Sequence, residues 1–333
     1  MRAVRRLGPA GGLRVVSDAP APTLAPGWAL VRVKRAAITH ADVALGLAQS
    51  GIDGPLTLGH EFVGIVEQVA TGTSPRDKAL AEELRSARVV ASPAIACAAC
   101  DLCRRGLSAH CREGRCIGLR GADGCFADRV AVPIRNLVRV PDNLDDETAL
   151  LAYPVASALH AASQVHLESK TYVTILGDSM VALLSAQIMA RRNASVRMLA
   201  GDDARLAVCD RWGVRNRLTD DVGRRADQDV VIECTGTAEG MAMAIEMVRP
   251  RGTIVLKHPG ASEPIPVSIS RITASEIHLL GSFGGSLEEA MLELGSGRVD
   301  VAPLIARRVR LEDAENALKA ASRREHLRIV FEI

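Results

Sequence analysis

Cysteine is the residue type with the clearest chemistry in this sequence. Four of the eight cysteines fall within residues 97–111, at Cys97, Cys100, Cys103 and Cys111. Four thiolates with this short spacing can surround one Zn²⁺ ion at about 2.3 Å and leave no position open for a substrate. Four reduced core cysteines or an iron–sulfur cluster are the alternatives. The cluster therefore predicts one structural Zn²⁺ per chain, which contributes to folding and does no chemistry.

The remaining cysteines do not share that spacing. A small residue in an apolar core is the simpler interpretation of each of them than a metal ligand. They are Cys116, Cys125, Cys209 and Cys234.

No segment of the sequence predicts export or membrane insertion. Met1–Arg6 is basic, but glycine and proline follow it instead of an apolar run. The most apolar stretch, Thr171–Ala190, is divided by Gly177-Asp178-Ser179 into a strand and a helix that are each too short to cross a bilayer. We therefore expect a cytoplasmic protein without membrane contact, in which reduced thiolates bind metal.

The charge balance gives no reason to expect a nucleic-acid partner. The chain has 41 Lys and Arg against 39 Asp and Glu, a formal net charge of +2, and aromatic residues make up 2% of it. So weak a positive charge provides little attraction for phosphates, and few rings are present to stack on bases. Arginines cluster around the cysteines, and a solvated basic face explains them better than a zinc module that binds nucleic acid.

The pattern of predicted elements changes near residue 148. Short strands such as Trp28–Val33 and Phe62–Val69 come before it. After it, apolar strands alternate with helices, beginning with the strand Tyr172–Leu176 and the helix Met180–Arg192. This alternation predicts an α/β protein in which a doubly wound parallel sheet accompanies a β-rich part. Further predicted elements are the strands Ser195–Ala200, Asp229–Glu233, Gly252–Lys257 and Leu327–Phe331, and the helices Ala204–Trp212, Gly240–Val248 and Glu312–Ser322.

Several segments resemble motifs of one enzyme family. The run Cys97–Gly106 with Cys111, and the triplet Gly59-His60-Glu61, are similar to the structural-zinc lobe and the Gly-His-Glu motif of the zinc-type medium-chain alcohol dehydrogenases. Ile232–Gly236 and Val248–Lys257 are similar to the threonine- and sorbitol-dehydrogenase-like branch of that family. The resemblance extends over essentially the whole chain. It implies a GroES-like domain at residues 1–148 and 296–333, with a zinc lobe at 95–115, and a Rossmann nucleotide-binding domain at 149–295.

The resemblance also implies a second, catalytic zinc, but most of its ligands are replaced. Thr39 stands at the position of a cysteine ligand, and a neutral hydroxyl is a poor zinc ligand beside a thiolate. Tyr153 stands at the position of a carboxylate ligand, and a phenol with a pKa of about 10 is neutral at pH 7. Asp42, His60 and Glu61 are retained. We therefore expect this zinc to be absent or weakly bound, and His60 to be a hydrogen-bonded histidine.

The loop after the first Rossmann strand departs from the family pattern as well. A dinucleotide-binding loop reads Gly-x-Gly-x-x-Gly, whereas this one reads Gly177-Asp178-Ser179-Met180-Val181-Ala182. Gly177 keeps the tight turn, but Ser179 places a side chain where the backbone would approach the pyrophosphate. The resemblance assigns Gly177, Ser179, Met180 and Val181 to the cofactor.

Charged residues of the Rossmann segment bear on the choice of cofactor. Asp202 follows the second strand, where an acidic residue holds the ribose 2′-hydroxyl and repels a 2′-phosphate, so NAD is favoured over NADP. Capping of the next helix is the alternative for Asp202. Arg205 lies near the adenosine or on a solvated helix face, and His40 reaches a cofactor phosphate or lies on the surface. The resemblance adds Cys234, Thr235 and Lys257 to the cofactor site.

Two interpretations of function remain open. The first is an NAD(P)-dependent oxidoreductase that acts on a small alcohol or carbonyl compound without the catalytic zinc, with Tyr153 as acid and Thr39 as hydrogen-bond donor. The second is a catalytically silent homologue that serves as a binding or partner subunit, which the changes at Thr39, Ala41, Tyr153 and Ser179 favour. Family members dimerise through an edge of the Rossmann sheet. Because Ile277–Gly281 is similar to that edge, we expect a homodimer.

Overall fold

The computed structural model describes residues 1–8, 12–47, 54–72, 74–167, 170–192, 194–258, 264–324 and 326–333. These residues form two compact units, one made of Met1–Tyr153 with Leu287–Ile333 and the other of Pro154–Ser286. The first unit is mainly β-sheet, and the second alternates strands with helices around a parallel sheet. The α/β class expected from the sequence is therefore confirmed.

Strands outnumber helices in the first part of the chain and alternate with them in the second. Before residue 154 the elements are β1 (Ala3–Leu7), β2 (Leu13–Val16), β3 (Trp28–Ala37), α1 (His40–Leu47), β4 (Pro55–Thr57), β5 (Glu61–Ala70), α2 (Pro75–Leu84), β6 (Arg88–Ala91), β7 (Ala94–Ile95), α3 (Asp101–Arg104), β8 (Arg115–Ile117), β9 (Gly121–Ala122), β10 (Arg129–Pro133), β11 (Leu137–Arg139), α4 (Asp146–Leu150) and the start of α5 (Ala152–Ser163). The second unit adds β12 (Tyr172–Leu176), α6 (Met180–Arg191), β13 (Ser195–Ala200), α7 (Asp203–Arg211), β14 (Arg215–Leu218), β15 (Gln228–Glu233), α8 (Ala238–Met247), β16 (Val248–Leu256), α9 (Ile269–Ala274) and β17 (His278–Gly281). The tail of the first unit contains α10 (Leu287–Gly295), β18 (Arg307–Arg310), α11 (Ala314–Ser322) and β19 (Ile329–Glu332).

The largest sheet of the first unit is organised around β3. Its order is β11-β6-β5-β3-β19-β18, with β10 also paired to β3. Ala29, Val31 and Val33 of β3 are buried at alternate positions, as a strand with one face on a core requires. The core behind it includes Phe126 and Phe331, whose ring centroids are 4.9 Å apart in an edge-to-face arrangement.

Strand register in this sheet brings distant segments together. Ala37, the last residue of β3, is the register partner of Glu61, the first residue of β5. Ala37 also faces Val330 of β19, from the tail of the chain. The segments around residues 39–42, 59–61 and 328 therefore meet at one end of β3, although they are far apart in sequence.

Helix α10 belongs to the first unit. It buries one face, formed by Leu287, Ala290, Met291 and Leu294, and packs against α4. Asn143 Nδ2 also donates a hydrogen bond to the carbonyl of Gly295 at 3.1 Å. The limits suggested by the sequence, after residues 148 and 295, place this helix in the Rossmann domain, whereas the units divide after Tyr153 and Ser286.

The second unit is built on a six-stranded parallel sheet in the order β14-β13-β12-β15-β16-β17. Gly177 follows the carboxyl end of β12, and Asp202, Cys234 and Lys257 follow β13, β15 and β16. Parallel strands place these ends along one edge of the sheet, which is where doubly wound folds bind their ligands. Strand β14 was not predicted from the sequence, because it alternates arginine with other residues and has no apolar run.

No helix among the described residues is long and apolar enough to cross a membrane.

Candidate functional site

The four clustered cysteines converge in the first unit. Their sulfur atoms all lie within 4.8 Å of one another. Cys97 Sγ is 4.0 Å from Cys103 Sγ, and Cys100 Sγ is 4.0 Å from Cys111 Sγ. A tetrahedron with metal–sulfur distances of about 2.3 Å has sulfur–sulfur edges of about 3.8 Å. The cluster therefore has the size and the donor set that a tetrahedral Zn²⁺ site requires.

Backbone amides surround these sulfur atoms. The amide of Cys97 donates to Cys111 Sγ at 3.2 Å, and the amide of Cys100 donates to Cys97 Sγ at 3.3 Å. Backbone hydrogen bonds from Cys103 and Arg112 lower the pKa of the Cys100 thiol to about 6. Such donors favour the thiolate form, which is the form that binds metal.

An ion pair between Arg112 and Asp101 links two segments of the zinc lobe. The Arg112 guanidinium contacts both carboxylate oxygens of Asp101, at 2.7 and 2.9 Å. This pair joins the start of α3 to the segment that follows the fourth cysteine.

Thr39 and Asp42 form the start of helix α1. The Thr39 amide donates to Asp42 Oδ2 at 2.8 Å, and Thr39 Oγ1 donates to the same oxygen at 2.7 Å. The Asp42 amide in turn contacts Thr39 Oγ1 at 3.3 Å. This reciprocal arrangement is that of a capping box, which satisfies amides at a helix amino terminus. The polar atoms of Thr39 are thus occupied within the first turn of the helix.

Asp42 also ties this helix to the Gly59-His60-Glu61 segment. Its carboxylate is fully buried and accepts a hydrogen bond from the Gly59 amide at 3.2 Å, and it lies 3.4 Å from His60 Nδ1. Gly59 has a φ of +95°, and a Cβ there would overlap the ring of Phe126. Only glycine satisfies both the backbone conformation and the close approach.

Burial and the Asp42 carboxylate act on the pKa of His60 in opposite directions. Burial alone would lower the pKa of His60, but the charge of Asp42 and its contact with the ring outweigh burial, and the pKa is raised. Glu61 contributes to the same effect. The carboxylate therefore makes the His60 imidazole more basic than a free one.

Glu61 is buried and faces an arginine from the tail of the chain. Arg328 Nη2 lies 3.1 Å from Glu61 Oε2, and Arg328 Nη1 donates to the carbonyl of Ile38 at 2.9 Å. Burial raises the pKa of Glu61, and the charge of Arg328 opposes that rise only in part. Sequence reasoning missed Arg328, because a partner so far along the chain leaves no local pattern.

Tyr153 lies against His60. The two rings are 6.3 Å apart between centroids and perpendicular to each other. Burial raises the pKa of the Tyr153 phenol above its usual value, so the hydroxyl keeps its proton at neutral pH. Among the described residues the Tyr153 side chain makes no hydrogen bond. His40, by contrast, is exposed at the first position of α1.

Of the cysteines outside the cluster, three lie in the protein interior. Cys125, Cys209 and Cys234 are buried, as the interpretation of them as small core residues expects. Cys125 Sγ contacts the carbonyl of Glu61 at 3.6 Å. Cys116 is half-buried, and burial raises the pKa of its thiol to about 11.

In the second unit, the loop after β12 makes a turn that starts helix α6. Gly177 has a φ of +104°, and a Cβ there would approach the carbonyl carbon of Cys234 at 3.2 Å. Ser179 Oγ accepts a hydrogen bond from the Ala182 amide at 3.2 Å and caps the helix that begins at Met180, with Val181 in its first turn. Ser179 therefore supplies an acceptor at the helix terminus where a dinucleotide phosphate would be expected.

Asp202 and Arg205 lie together after β13. Asp202 Oδ1 accepts from the Ala204 amide at 3.0 Å and caps α7, while its other oxygen is 3.7 Å from Arg205 Nε. Arg205 also lies 4.0 Å from Asp178, and its side chain is only 11% exposed. The solvated helix face considered for Arg205 is therefore wrong, because two carboxylates draw the guanidinium against the loop.

A buried polar cluster lies at the ends of β15 and β16. Glu233 is fully buried and accepts hydrogen bonds from the Thr235 amide at 2.7 Å and from the Thr235 hydroxyl. Lys257 Nζ donates to the carbonyls of Ser282 at 3.2 Å and Gly284 at 3.4 Å. Burial lowers the pKa of Lys257 to about 8. The structure thus places Thr235, Cys234 and Lys257 at one edge of the sheet.

Comparison with known proteins agrees with this architecture. Residues 25–142 match the family model "Alcohol dehydrogenase GroES-like domain", and residues 181–296 match "Zinc-binding dehydrogenase". An L-threonine 3-dehydrogenase from Streptomyces avermitilis is 31% identical over 92% of this chain and 92% of its own length. The chain belongs to the zinc-type alcohol dehydrogenase family. An L-idonate 5-dehydrogenase from Vitis vinifera is 27% identical, over 91% of this chain and 87% of its own.

Solved structures of this alcohol dehydrogenase family share the fold over the full length. A putative zinc-binding dehydrogenase from Sinorhizobium meliloti 1021, bound to NADP, has a TM-score of 0.87 and 25% identity, covering 100% of this chain and 99% of its own. An alcohol dehydrogenase from Thermus sp. ATN1 has a TM-score of 0.88 and 26% identity with the same coverage. Family membership makes the chain an oxidoreductase of the alcohol dehydrogenase type.

The catalytic zinc of this family does not fit the residues present. Thr39 Oγ1 directs its proton to Asp42, and burial keeps the Tyr153 phenol protonated. Of the three ligand positions, only His60 carries a group that binds zinc well at neutral pH. The four-cysteine lobe, in contrast, fits its metal.

Proposed function

We propose that this alcohol dehydrogenase-type enzyme uses NAD to interconvert a small polar secondary alcohol and its carbonyl without a catalytic zinc. The observation that carries the proposal is the hydrogen bond from Thr39 Oγ1 to Asp42, which leaves no zinc ligand at residue 39. Tyr153 and His60 remain side by side. L-threonine and L-idonate, the substrates in the names of two relatives, are small polar compounds of this class.

Tyr153 is the proposed hydrogen-bond donor to the substrate oxygen. Its hydroxyl is protonated at neutral pH and has no hydrogen-bond partner among the described residues. Thr39, which the sequence suggested as a second donor, is unsuited to that role because its proton points to Asp42. His60, with its pKa raised by Asp42, stabilises negative charge that develops on the neighbouring oxygen.

The proposed cofactor is NAD. Bound NAD would supply the hydride acceptor for oxidation of the alcohol carbon, and NADH the hydride donor for reduction of the carbonyl. Gly177 would accommodate the pyrophosphate turn, and the amides at the start of α6 would donate hydrogen bonds to the phosphates. The Asp202 carboxylate favours a ribose hydroxyl over a 2′-phosphate, and the two carboxylates beside Arg205 neutralise its charge.

The zinc lobe has a structural role in this proposal. Cys97, Cys100, Cys103 and Cys111 hold one Zn²⁺, which stabilises a segment with little apolar core of its own. All four cysteines are occupied in this arrangement, so the metal takes no part in the chemistry.

A homodimer and a cytoplasmic location complete the proposal. Strand β17 is the last strand of the parallel sheet, and its exposed residues include Leu279. An edge strand with exposed apolar side chains is suited to pair with a second copy of itself. Light scattering that reports a monomer would contradict the dimer.

One sample tests the metal and the cofactor together. Metal analysis should find one zinc per chain, and NADH fluorescence titration should show saturable binding. Two zinc ions per chain would contradict the account of Thr39. A chain that binds no nucleotide at millimolar concentration would instead be the catalytically silent homologue.

A gain-of-metal variant sharpens this test. The double substitution Thr39→Cys with Tyr153→Glu restores a thiolate and a carboxylate beside His60, and it should raise the zinc content from one to two per chain. Thr39→Ser is the matched control, because it keeps the hydroxyl that caps α1 and should leave the zinc content at one. The single variant Tyr153→Phe should lose most of the turnover while NADH binding persists.

A further inference from the structure

A polar groove lies on the second unit, beside the edge strand β14. Its volume is about 750 Å³, which is within the range of small-molecule binding sites. Strands β13 and β14, helix α7 and the link between β14 and β15 contribute to it. Its charged lining residues include Arg197, Arg215, Arg217, Asp210, Asp221 and Asp227.

The groove exists because the link between β14 and β15 is short. These strands are separated in the sheet by β13 and β12, and residues 219–227 cross that distance with one 3₁₀ turn and no α-helix. A crossover between parallel strands usually contains a helix that covers the sheet. Val222 packs against the apolar cluster on the sheet, so the link itself lies on this face. The arginine-bearing parts of β13 and β14 remain accessible beside it.

Three arginines converge on this face. Arg197 of β13 is the register partner of Arg215 of β14, and Arg217 lies two residues further along the same face. Like charges directly opposite each other on neighbouring strands are destabilising. The arrangement therefore carries an electrostatic cost that a bound anion would remove.

Protein groups satisfy these arginines only in part. Arg197 Nη2 donates to Thr174 Oγ1 at 3.2 Å, but Arg197 Nε is buried without a hydrogen-bond partner among the described residues. No ion pair within 4.0 Å joins Arg197, Arg215 or Arg217 to a carboxylate in the described part of the chain. A buried donor without a partner is costly, and a ligand oxygen could supply the missing acceptor.

Two of the acidic side chains of the groove already have partners. Asp210 accepts a hydrogen bond from Asn216 Nδ2 at 2.7 Å, and Asp227 accepts one from Gln228 Nε2 at 2.6 Å. Asp221 is exposed at the rim. Asp227 also attracts Arg197 electrostatically, but it lies beyond ion-pair distance, so the guanidinium group remains available to a ligand.

We propose that this groove binds a small polar molecule that carries a multivalent oxyanion, phosphoryl or carboxylate, with Arg197, Arg215 and Arg217 as its ligands. Guanidinium groups donate two parallel hydrogen bonds to either kind of oxyanion. Arg197 is in the middle of β13, whereas Gly177 and Asp202 follow the carboxyl ends of their strands. The site is therefore distinct from the nucleotide loop, and its ligand would act as an effector.

Calorimetric titration of the full-length chain with inorganic pyrophosphate and with citrate tests this proposal. One binding site per chain is expected, with an affinity that falls as salt is added. Stronger binding of pyrophosphate would identify a phosphoryl ligand, and stronger binding of citrate a carboxylate. Arg197→Gln and Arg215→Gln should each weaken binding at least tenfold. The control Arg251→Gln removes the same charge from a side chain that is 77% exposed and outside the groove, and it should change nothing.

Two results would overturn the proposal. The first is the absence of saturable binding of both anions at millimolar concentration. The second is binding that persists in both groove variants, which would place the anion elsewhere, for example at the nucleotide loop. If Arg197→Gln does not fold, Arg215→Gln decides alone, because its side chain is exposed on the edge strand.

Discussion

The charge state of Lys257 makes a quantitative prediction about stability. This side chain is 6% exposed, and its ammonium group has only backbone carbonyls as hydrogen-bond partners among the described residues. Burial lowers its pKa from 10.5 to about 8, with a small opposing effect from Cys234. Between these two values the unfolded chain holds a proton that the folded chain does not. The free energy of unfolding must therefore rise with pH through this window.

The size of the effect follows from the two pKa values. At about 1.4 kcal/mol per pH unit, the interval from about 8 to 10.5 corresponds to roughly 3 kcal/mol. Below pH 8 both states are protonated, so the penalty of the buried charge is present in full and does not change with pH. Lys257→Met removes the charge and should remove this pH dependence.

Urea unfolding at fixed ionic strength, repeated across pH, measures the effect. The difference in unfolding free energy between the unsubstituted chain and Lys257→Met should rise by about 3 kcal/mol from pH 8 to pH 10.5, because other titrations cancel in the difference. Lys319→Met, at an exposed position of α11, is the control and should give a flat difference. A flat difference for Lys257→Met would refute the reasoning.

Three further substitutions test the first unit. Gly59→Ala should lower the free energy of unfolding in urea by about 3 kcal/mol or more, because the new Cβ overlaps Phe126 and the residue has a positive φ. A decrease below about 1 kcal/mol would contradict this prediction. Asp42→Ala should lower the free energy of unfolding by about 3 kcal/mol, because the Thr39 and Gly59 donors lose their acceptor. An unchanged urea midpoint would mean that water replaces the carboxylate. Cys103→Ser should abolish zinc binding and make the lobe protease-sensitive; retained stoichiometric zinc would exclude Cys103 as a ligand.

The contrast between the two candidate metal sites has a simple chemical origin. The cysteine lobe keeps four soft sulfur ligands and backbone amides that donate to them, so its chemistry suits zinc. At the other site, Thr39 has become part of a helix cap, and the buried phenol of Tyr153 cannot ionise near neutral pH. In the proposed function these positions serve packing and hydrogen bonding in place of metal binding.

Short-range patterns were sufficient for the main features of this protein. The spacing of four cysteines and the alternation of strands and helices after residue 148 can be recognised in the sequence, because each depends on neighbours a few residues away. The replacement at Thr39 followed from the resemblance to the family motif. Strand Tyr172–Leu176 has the limits that its apolar run predicted. Helix α6 ends one residue earlier than predicted.

Contacts between distant segments were decided only by the tertiary structure. The sheet register sets Ala37 opposite Glu61 and so places Asp42 beside His60. The strand at the end of the chain places Arg328 beside Glu61. Strand β14 carries no apolar pattern, and its pairing with β13 is what aligns the arginines of the groove. The physical reason is the same in each case: strand pairing depends on register between segments far apart in the chain, and no local spacing encodes that register.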